Sequence, residues 1–295
     1  MTTRPRAQHR LGLALVALAA IAWSSAGYFT RLIQVDAWTI LVWRGLFGGT
    51  FIAAFMAWHY GRDAWPMVRD MGWPGWMVTL ASTAAMSSFI PALKLTSIAN
   101  VAIIYATCPF VAALLARLWF GERVPRHVVL LSAAAFAGVA IAMAGPATEG
   151  SRVGDAVAVF MTLATAVMMV ALRRYRDVPM VPAASLSNLL GIALALPFAA
   201  PLEVSGVALV QLAAFGFFQM TLGLTLFTIG ARHITAAEAA LVATLESPLT
   251  PFWVWLAFGE VPSLPAMFGG GVVLAAVVAN VWLSSSPAAR AAELS

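Results

Sequence analysis

Ten apolar stretches of bilayer length follow one another along this chain of 295 residues, and they leave few folds open to it. An α-helix of about 20 residues crosses the ~30 Å hydrocarbon layer of a membrane. The chain is 62% hydrophobic and only 10% charged, whereas soluble domains carry roughly 25% charged residues. The sequence therefore predicts an all-α polytopic membrane protein with ten transmembrane helices, at about 11–30, 37–58, 73–93, 98–120, 127–145, 153–172, 181–201, 206–229, 237–258 and 264–284.

The basic residues indicate how these spans are oriented. The net charge of +5 would suggest a nucleic-acid ligand in a soluble protein, but here the arginines lie in short segments between apolar spans. With a cytoplasmic N-terminus, the outer segments hold only Arg31, Lys94 and Arg152, as the positive-inside rule requires. We therefore predict a multi-pass protein of a bacterial-type inner membrane, with both termini in the cytoplasm and no nucleic-acid partner.

The ninth stretch carries unusual residues for a membrane helix. Glu246 falls near the middle of the bilayer, where an ionisable group is costly and usually faces a cavity. Pro248 and Pro251 each remove a backbone donor in the same region. These features predict a discontinuous helix.

A copy of this segment occurs earlier in the chain. A shift of 138 positions lays Ala92–Glu122 over Gly230–Glu260 without a gap, so that Cys108 falls on Glu246. We interpret this as an internal duplication, with a first repeat at 1–147 and a second at 148–295. Because each repeat has five spans, an odd number, the second must be inverted relative to the first. Such inverted repeats enclose a central cavity in secondary transporters.

Small residues recur at four-residue spacing in two spans. Close packing of helices, or a dimer interface, is their usual role in membranes. The residues are Ala134, Gly138 and Ala142 in the fifth span, and Gly271, Ala275 and Ala279 in the tenth.

We expect polar and aromatic residues that lie deep in the spans to line the substrate cavity. For each polar residue alone, hydrogen bonding between helices is the commoner role. The candidates are Trp23, Ser24, Tyr28, Arg44, Ser87, Tyr105, Cys108, Thr165, Gln219, Glu246, Ser247, Pro248, Leu249 and Trp253, and the candidate hinges are Pro109, Pro248 and Pro251.

Two buried charges leave alternatives open. Glu246 is a structural carboxyl, a carrier of a coupling proton, or a contact for the ammonium group of a substrate. Arg44 pairs with Glu246, binds a substrate carboxylate, or satisfies the free carbonyls of a broken helix.

Enzyme chemistry finds no support in the sequence. The four histidines lie in loops or at helix ends without the spacing of metal ligands, and no phosphate-binding loop is present. We therefore expect neither an enzyme nor a bound cofactor or metal. Without nucleotide hydrolysis, any transport by this chain must be driven by concentration or ion gradients.

The halves resemble EamA repeats of the drug/metabolite transporter superfamily. Each half opens with an apolar helix that closes in a basic residue, Arg31 or Arg173, and each has a proline-interrupted helix that ends in Gly-Glu. The segments Trp23-Ser24-Ser25 and Ser247-Pro248-Leu249 more narrowly resemble the YddG-type amino-acid exporters. That resemblance implies a ten-helix fold of five plus five inverted spans, which exports aromatic and other neutral amino acids. Cys108 stands where such exporters tend to carry tryptophan, which favours a broader range of substrates.

We accordingly expect a secondary transporter that exports amino acids or similar small metabolites by alternating access, as a monomer or homodimer in the lipid bilayer. Export of another metabolite or a cationic drug is the neighbouring alternative. A membrane scaffold without transport activity is another, although a scaffold has no need to maintain a buried acid and broken helices.

Overall fold

The computed structural model describes residues 3–61, 64–121, 124–144, 151–175, 181–234 and 236–285, which form helices and no strand. A π-helical segment, Phe217–Leu222, joins two of the helices. The α-helices are α1 (Thr3–Leu32), α2 (Ala37–Tyr60), α3 (Ala64–Asp70), α4 (Gly72–Leu95), α5 (Ile98–Ala106), α6 (Cys108–Phe120), α7 (Arg126–Met143), α8 (Ser151–Arg174), α9 (Val181–Ala195), α10 (Gly206–Gly216), α11 (Gly223–Gly230), α12 (Ala236–Ala243), α13 (Glu246–Phe258) and α14 (Leu264–Ser285).

Each predicted span corresponds to one helix or to a pair of consecutive helices. Within the part of the chain that the structure describes, six stretches are long and apolar enough to cross a membrane by themselves, and two shorter apolar helices add to them. The prediction of an all-helical polytopic membrane protein is confirmed. The seven-residue α3 was not predicted, and it is too short to cross a bilayer. The six stretches are Gln8–Leu32, Gly72–Leu95, Ile98–Phe120, Arg126–Met143, Ser151–Arg174 and Leu264–Leu283.

Contacts between helix ends divide the loops into two faces. On the face that we call the Arg152 side, Lys94 Nζ donates to the carbonyl of Ile33 at 3.0 Å, so α4 and α1 end together. Arg31 pairs there with Glu260, just after α13. On the opposite face, which we call the Arg10 side, the start of α1 meets the start of α12. The two discontinuous spans therefore run in opposite directions, as an inverted repeat requires.

The two halves pack against each other through equivalent helices. The helices α4 and α6 of the first half pack on α8, the first helix of the second half. Equivalently, α11 and α13 of the second half pack on α1, the first helix of the first half. The remaining pairs, α2 with α9 and α7 with α14, join counterparts from the two halves. Each half therefore completes its fold only against the other.

Two glycines allow close approaches between the halves at equivalent places. A Cβ at Gly154 would overlap Leu95 and Thr96, and a Cβ at Gly12 would overlap His233 and Ile234 in the equivalent corner of the other half. Only glycine lets the first helix of each half approach the end of the other half's third span this closely.

The fourth and ninth spans both break near their middle. The fourth breaks at Thr107, between α5 and α6, and the ninth at 244–245, between α12 and α13. The shift of 138 positions maps the beginning of α6, Cys108, onto that of α13, Glu246. Both helices end at a glycine in the left-handed conformation, Gly121 with φ 66° and Gly259 with φ 70°. The duplicated sequence thus forms duplicated structure with matching helix boundaries.

The predicted small-residue seam of the fifth span is an intramolecular helix contact. A Cβ at Gly138 would lie 2.7 Å from the carbonyl oxygen of Gly269 on α14, and Ala142 packs on the same residue. On α14 the predicted Gly271 takes no part in this contact, because a Cβ there would meet open space, and the alternative of a dimer interface at its face stays a prediction. The contact residues of α14 are Gly269 and Val273 instead.

We expect Gly269→Val to destabilise the protein, because the added side chain would overlap the backbone of α7. Thermal unfolding of the purified protein in detergent, followed by tryptophan fluorescence, should show a melting temperature lower by several degrees. Gly271→Ala is the matched control, since it adds a methyl group to the same helix where nothing lies within 4 Å. Equal melting temperatures for the two variants would contradict the seam.

Candidate functional site

A small cavity lies where α1, α4, α5 and α13 meet, and it brings both discontinuous spans into one site. Its volume is about 20 Å³, close to what one water molecule occupies. A solute of metabolite size therefore needs another conformation to reach it. The lining residues are Ala26, Phe89, Leu93, Val101, Ala102, Tyr105, Glu246, Ser247 and Thr250.

Glu246 is the acidic residue of this lining. It is the first residue of α13, so the break in the ninth span presents its side chain to the cavity. Among the described residues, no ion pair joins it to a basic side chain. Tyr105 from the other discontinuous span lines the same cavity. The site therefore combines a carboxyl group that has no ionic partner with aromatic surface.

A second pocket of about 340 Å³ lies outside the cavity, between α5, α13 and α14. Its lining includes Pro248 and Pro251, which therefore contribute to this apolar pocket rather than to the small cavity. Ala102 and Ser247 line both spaces and form the wall between them.

Arg44 lies deep in α2 and is only 3% exposed. Its Nη1 donates to Gln219 Oε1 at 2.7 Å, and Gln219 belongs to the π-helical segment. Its guanidinium carbon lies 5.7 Å from the ring centre of Phe89, which lines the cavity. Among the described residues it forms no ion pair with Glu246. One of the three roles considered for Arg44, a salt bridge to that acid, is thus not realised in this conformation.

Trp23 holds the same π-helical segment from α1. Its indole N–H donates to the carbonyl of Gln219 at 3.1 Å, and its ring packs on Phe227. A Cβ at Gly223 would overlap the indole, so the glycine makes room for it. π-Helical turns leave backbone groups free for such partners and occur often at functional sites.

Ser24 and Trp253 join α1 to α13. The indole N–H of Trp253 donates to Ser24 Oγ at 2.9 Å, while Ser24 donates to the carbonyl of Ile21 at 2.8 Å. Trp253 thus has its partner on a neighbouring helix, which is the commoner role of polar residues in membrane spans, while Ser24 donates within its own helix.

Cys108 faces α8 instead of the cavity, and Thr165 is also absent from the cavity lining. The Cys108 thiol is buried and lies 3.8 Å from the carbonyl of Thr162 and 3.6 Å from Met169 Sδ. Thr165 donates to the carbonyl of Met161 within its own helix. Cys108 and Glu246 are equivalent in sequence, yet only Glu246 reaches the cavity.

Four further candidates lie apart from the cavity lining, three proposed for the cavity and one proposed as a hinge. Tyr28 packs on Phe258 at the end of α13, with ring centres 5.6 Å apart. Ser87 Oγ is buried without a hydrogen-bond partner. Leu249 is half-buried in the first turn of α13. Pro109 is the second residue of α6, where a missing N–H costs nothing because that N–H has no partner within the helix.

Asp155 closes the Arg152 side, and sequence reasoning missed it. It is only 4% exposed, although it lies in the second turn of α8. Its Oδ1 accepts from Thr96 Oγ1 at 2.7 Å and from Asn100 Nδ2 at 3.2 Å, on the turn between α4 and α5. An acid just inside an apolar span is the signal that could have identified it.

His9 and Glu238 close the Arg10 side. His9 Nε2 on α1 lies 2.9 Å from Glu238 Oε1 on α12, and both side chains are partly exposed. Glu238 is the sequence equivalent of Asn100, so equivalent corners carry out the closure on both faces. The chemistry differs between the faces: a buried acid with neutral partners on one, and a histidine–glutamate pair on the other.

Comparison with known proteins then identifies the family. The model of the EamA-like transporter family matches residues 10–144 and again 152–282. This chain belongs to the EamA-like transporter family. Two matches in one chain agree with the duplication that the helix boundaries display. Members of this family are transporters, so the chain is a multi-pass membrane transporter.

Solved structures share the fold of this chain. One crystal structure has a TM-score of 0.64 to this chain, over 92% of this chain and 96% of its own, at 17% sequence identity. That likeness concerns the fold alone. No curated protein is significantly similar in sequence. Among the described residues, no group of three or more His, Cys, Asp or Glu side chains is placed to hold a metal ion.

We expect Asp155→Ala to loosen the closure on the Arg152 side, because Thr96 and Asn100 would lose their shared acceptor. In a Cys108→Ser background, a cysteine introduced at Ser247 should then react severalfold faster with a hydrophilic maleimide. Labelling rates of the purified transporter measure this effect.

Ser132→Ala is the control for Asp155→Ala, since the Ser132 hydroxyl donates to the carbonyl of Val128 within its own helix. Asp155→Asn keeps an acceptor oxygen and should label at an intermediate rate. An unchanged rate in Asp155→Ala would show that this contact does not hold the closure.

Proposed function

We propose that this transporter exports neutral amino acids, aromatic ones included, across a bacterial-type inner membrane by alternating access. The observation that carries the proposal is Glu246 at the boundary of the cavity between the two broken spans. A carboxyl group inside a membrane protein is tolerated when it is neutral, paired or in contact with water or a polar ligand. An ammonium group on the substrate would be such a ligand.

The remaining lining fits the apolar part of such a substrate. Phe89, Tyr105, Leu93 and Val101 offer aromatic and aliphatic surface beside the acid. Small-molecule sites commonly combine apolar walls with a few polar groups that fix orientation. The resemblance of Trp23-Ser24-Ser25 and Ser247-Pro248-Leu249 to YddG-type exporters supports the same cargo.

The contacts that join the halves on the two faces support alternating access. Both closures join α1 or α8 of one half to the corner before the discontinuous span of the other half. Opening one while the other stays closed would expose the cavity to one side at a time. The broken spans supply the residues that would change their exposure.

Glu246→Gln tests the role of the acid. We expect it to weaken binding of a neutral amino acid at every pH, because a charge-assisted contact of about 1.5–3 kcal/mol is lost, or roughly 10- to 150-fold in affinity. Counterflow in liposomes with labelled phenylalanine, methionine and threonine, measured against pH, gives the comparison.

Glu203→Gln is the matched control, since it makes the same chemical change at an exposed position in the loop before α10. A Glu246→Gln variant that keeps downhill exchange but loses pH-dependent accumulation would instead assign a coupling proton to Glu246. A variant equal to wild type in affinity, rate and pH profile would remove the acid from the mechanism.

The orientation is the second part of the proposal. The Arg152 side holds few basic residues, whereas the Arg10 side holds most of the arginines. By the positive-inside rule, the Arg10 side then faces the cytoplasm. We expect Arg152→Cys, in a Cys108→Ser background, to label with a membrane-impermeant maleimide in intact cells. Arg232→Cys, on the opposite face, should label only after permeabilisation. The reverse pattern would overturn the orientation.

A cationic drug is the second candidate cargo, because a buried carboxyl beside aromatic rings also suits an organic cation. Competition in the same liposomes separates the two: an organic cation without a carboxylate would compete strongly, and amino acids weakly, if the drug were the cargo.

A further inference from the structure

Arg44 carries a buried positive charge that no acidic side chain among the described residues neutralises. A guanidinium has five N–H donors. Nη1 donates to Gln219 Oε1 at 2.7 Å, Nη2 lies 3.6 Å from Met86 Sδ, and Nε is buried without a hydrogen-bond partner. Among the described residues, no carboxylate lies within 4 Å of it. The contacts that remain are the faces of Phe89 and Phe215, at 5.7 and 5.9 Å.

This arrangement is incomplete as a structural site. Buried charges are normally paired with an opposite charge, since leaving one unpaired forfeits its hydration without compensation. A neutral amide, a thioether and two aromatic rings are weaker partners than a carboxylate, which guanidinium binds through two parallel hydrogen bonds. The missing partner of Arg44 is therefore an anion.

The place for that anion is next to the cavity. Phe89 lines the cavity and its ring centre also lies 5.7 Å from the guanidinium carbon of Arg44, so the guanidinium contacts a residue of the cavity lining. The cavity must widen to admit any solute, and a shift of Phe89 would uncover the guanidinium. Gln219 holds the guanidinium in place, and Trp23 holds the backbone carbonyl of Gln219.

We infer that Arg44 binds the carboxylate of the transported solute, while Glu246 of the same site meets its ammonium group. The substrate class is then a zwitterion with an apolar side chain, and neither an organic cation nor a simple carboxylic acid satisfies both charges. This assignment rests on the proposed function, and it names Arg44 as a specificity-determining residue.

Displacement of labelled L-phenylalanine from the purified full-length transporter tests the assignment with matched competitors. L-Phenylalanine amide keeps the ammonium group and lacks the carboxylate, and 3-phenylpropionate keeps the carboxylate and lacks the ammonium group. For wild type, both should displace the label at least about tenfold less well than L-phenylalanine, because a site built for a polar group rejects the analogue that lacks it.

The variants assign each charge to its residue. Arg44→Gln should bring L-phenylalanine and its amide to similar affinities, while the preference over 3-phenylpropionate remains. Arg44→Lys keeps the positive charge but lacks the planar guanidinium that binds a carboxylate through two hydrogen bonds. It should therefore discriminate against the amide more than Arg44→Gln does and less than wild type does. Arg126→Gln makes the same change at an exposed helix end and should leave all three affinities unchanged.

The outcomes separate the assignment from the proposed function. If wild type binds none of the neutral amino acids, the proposed function fails, and the assignment fails with it. If wild type binds L-phenylalanine and its amide equally, only the role of Arg44 is overturned, and this result needs no variant to fold. A discrimination against the amide that persists in a folded Arg44→Gln variant would overturn it as well.

Discussion

The breaks in the fourth and ninth spans impose the arrangement of the other helices. A helix that stops inside a bilayer leaves backbone groups that lipid cannot satisfy. Hydrogen bonds within each turn satisfy some of these backbone groups. At the first break Thr107 donates through its N–H and its hydroxyl to the carbonyl of Ile104, and at the second the N–H of Leu245 donates to the carbonyl of Val242. Such turns are stable only where protein covers them, so α8 packs against one discontinuous span and α1 against the other. The exchange of helices between the halves follows from that requirement.

The same covered interior explains why two charges survive there unpaired. Glu246 begins the second half of its broken helix, and Arg44 contacts Phe89 of the cavity lining. Either residue would be destabilising in a lipid-facing position. Inside the bundle they are not joined to each other in a salt bridge, which would have removed both from binding. A substrate carrying both charges could therefore meet each of them.

The two halves have equivalent helices because of the duplication, but their side chains have diverged, so equivalent positions carry different chemical groups. Gly12 and Gly154 allow equivalent close approaches, and Gly121 and Gly259 end equivalent helices. At the two closures, however, a buried acid with neutral partners on one face corresponds to a histidine–glutamate pair on the other. The two faces are therefore held together by different interactions.

The sequence by itself determined the spans, the duplication and the positions of the breaks, because these depend on local hydrophobicity, proline and the alignment of one half with the other. It also identified Glu246, since a carboxyl in an apolar run is visible without any partner. Only the tertiary structure decided which side chains meet. Cys108 and Glu246 are equivalent by alignment, yet Cys108 packs against α8 whereas Glu246 lines the cavity. The partners of Asp155 and Arg44 come from distant helices and from a π-helical turn. Such contacts depend on the rotation and packing of whole helices, and hydrophobic periodicity carries no information about either.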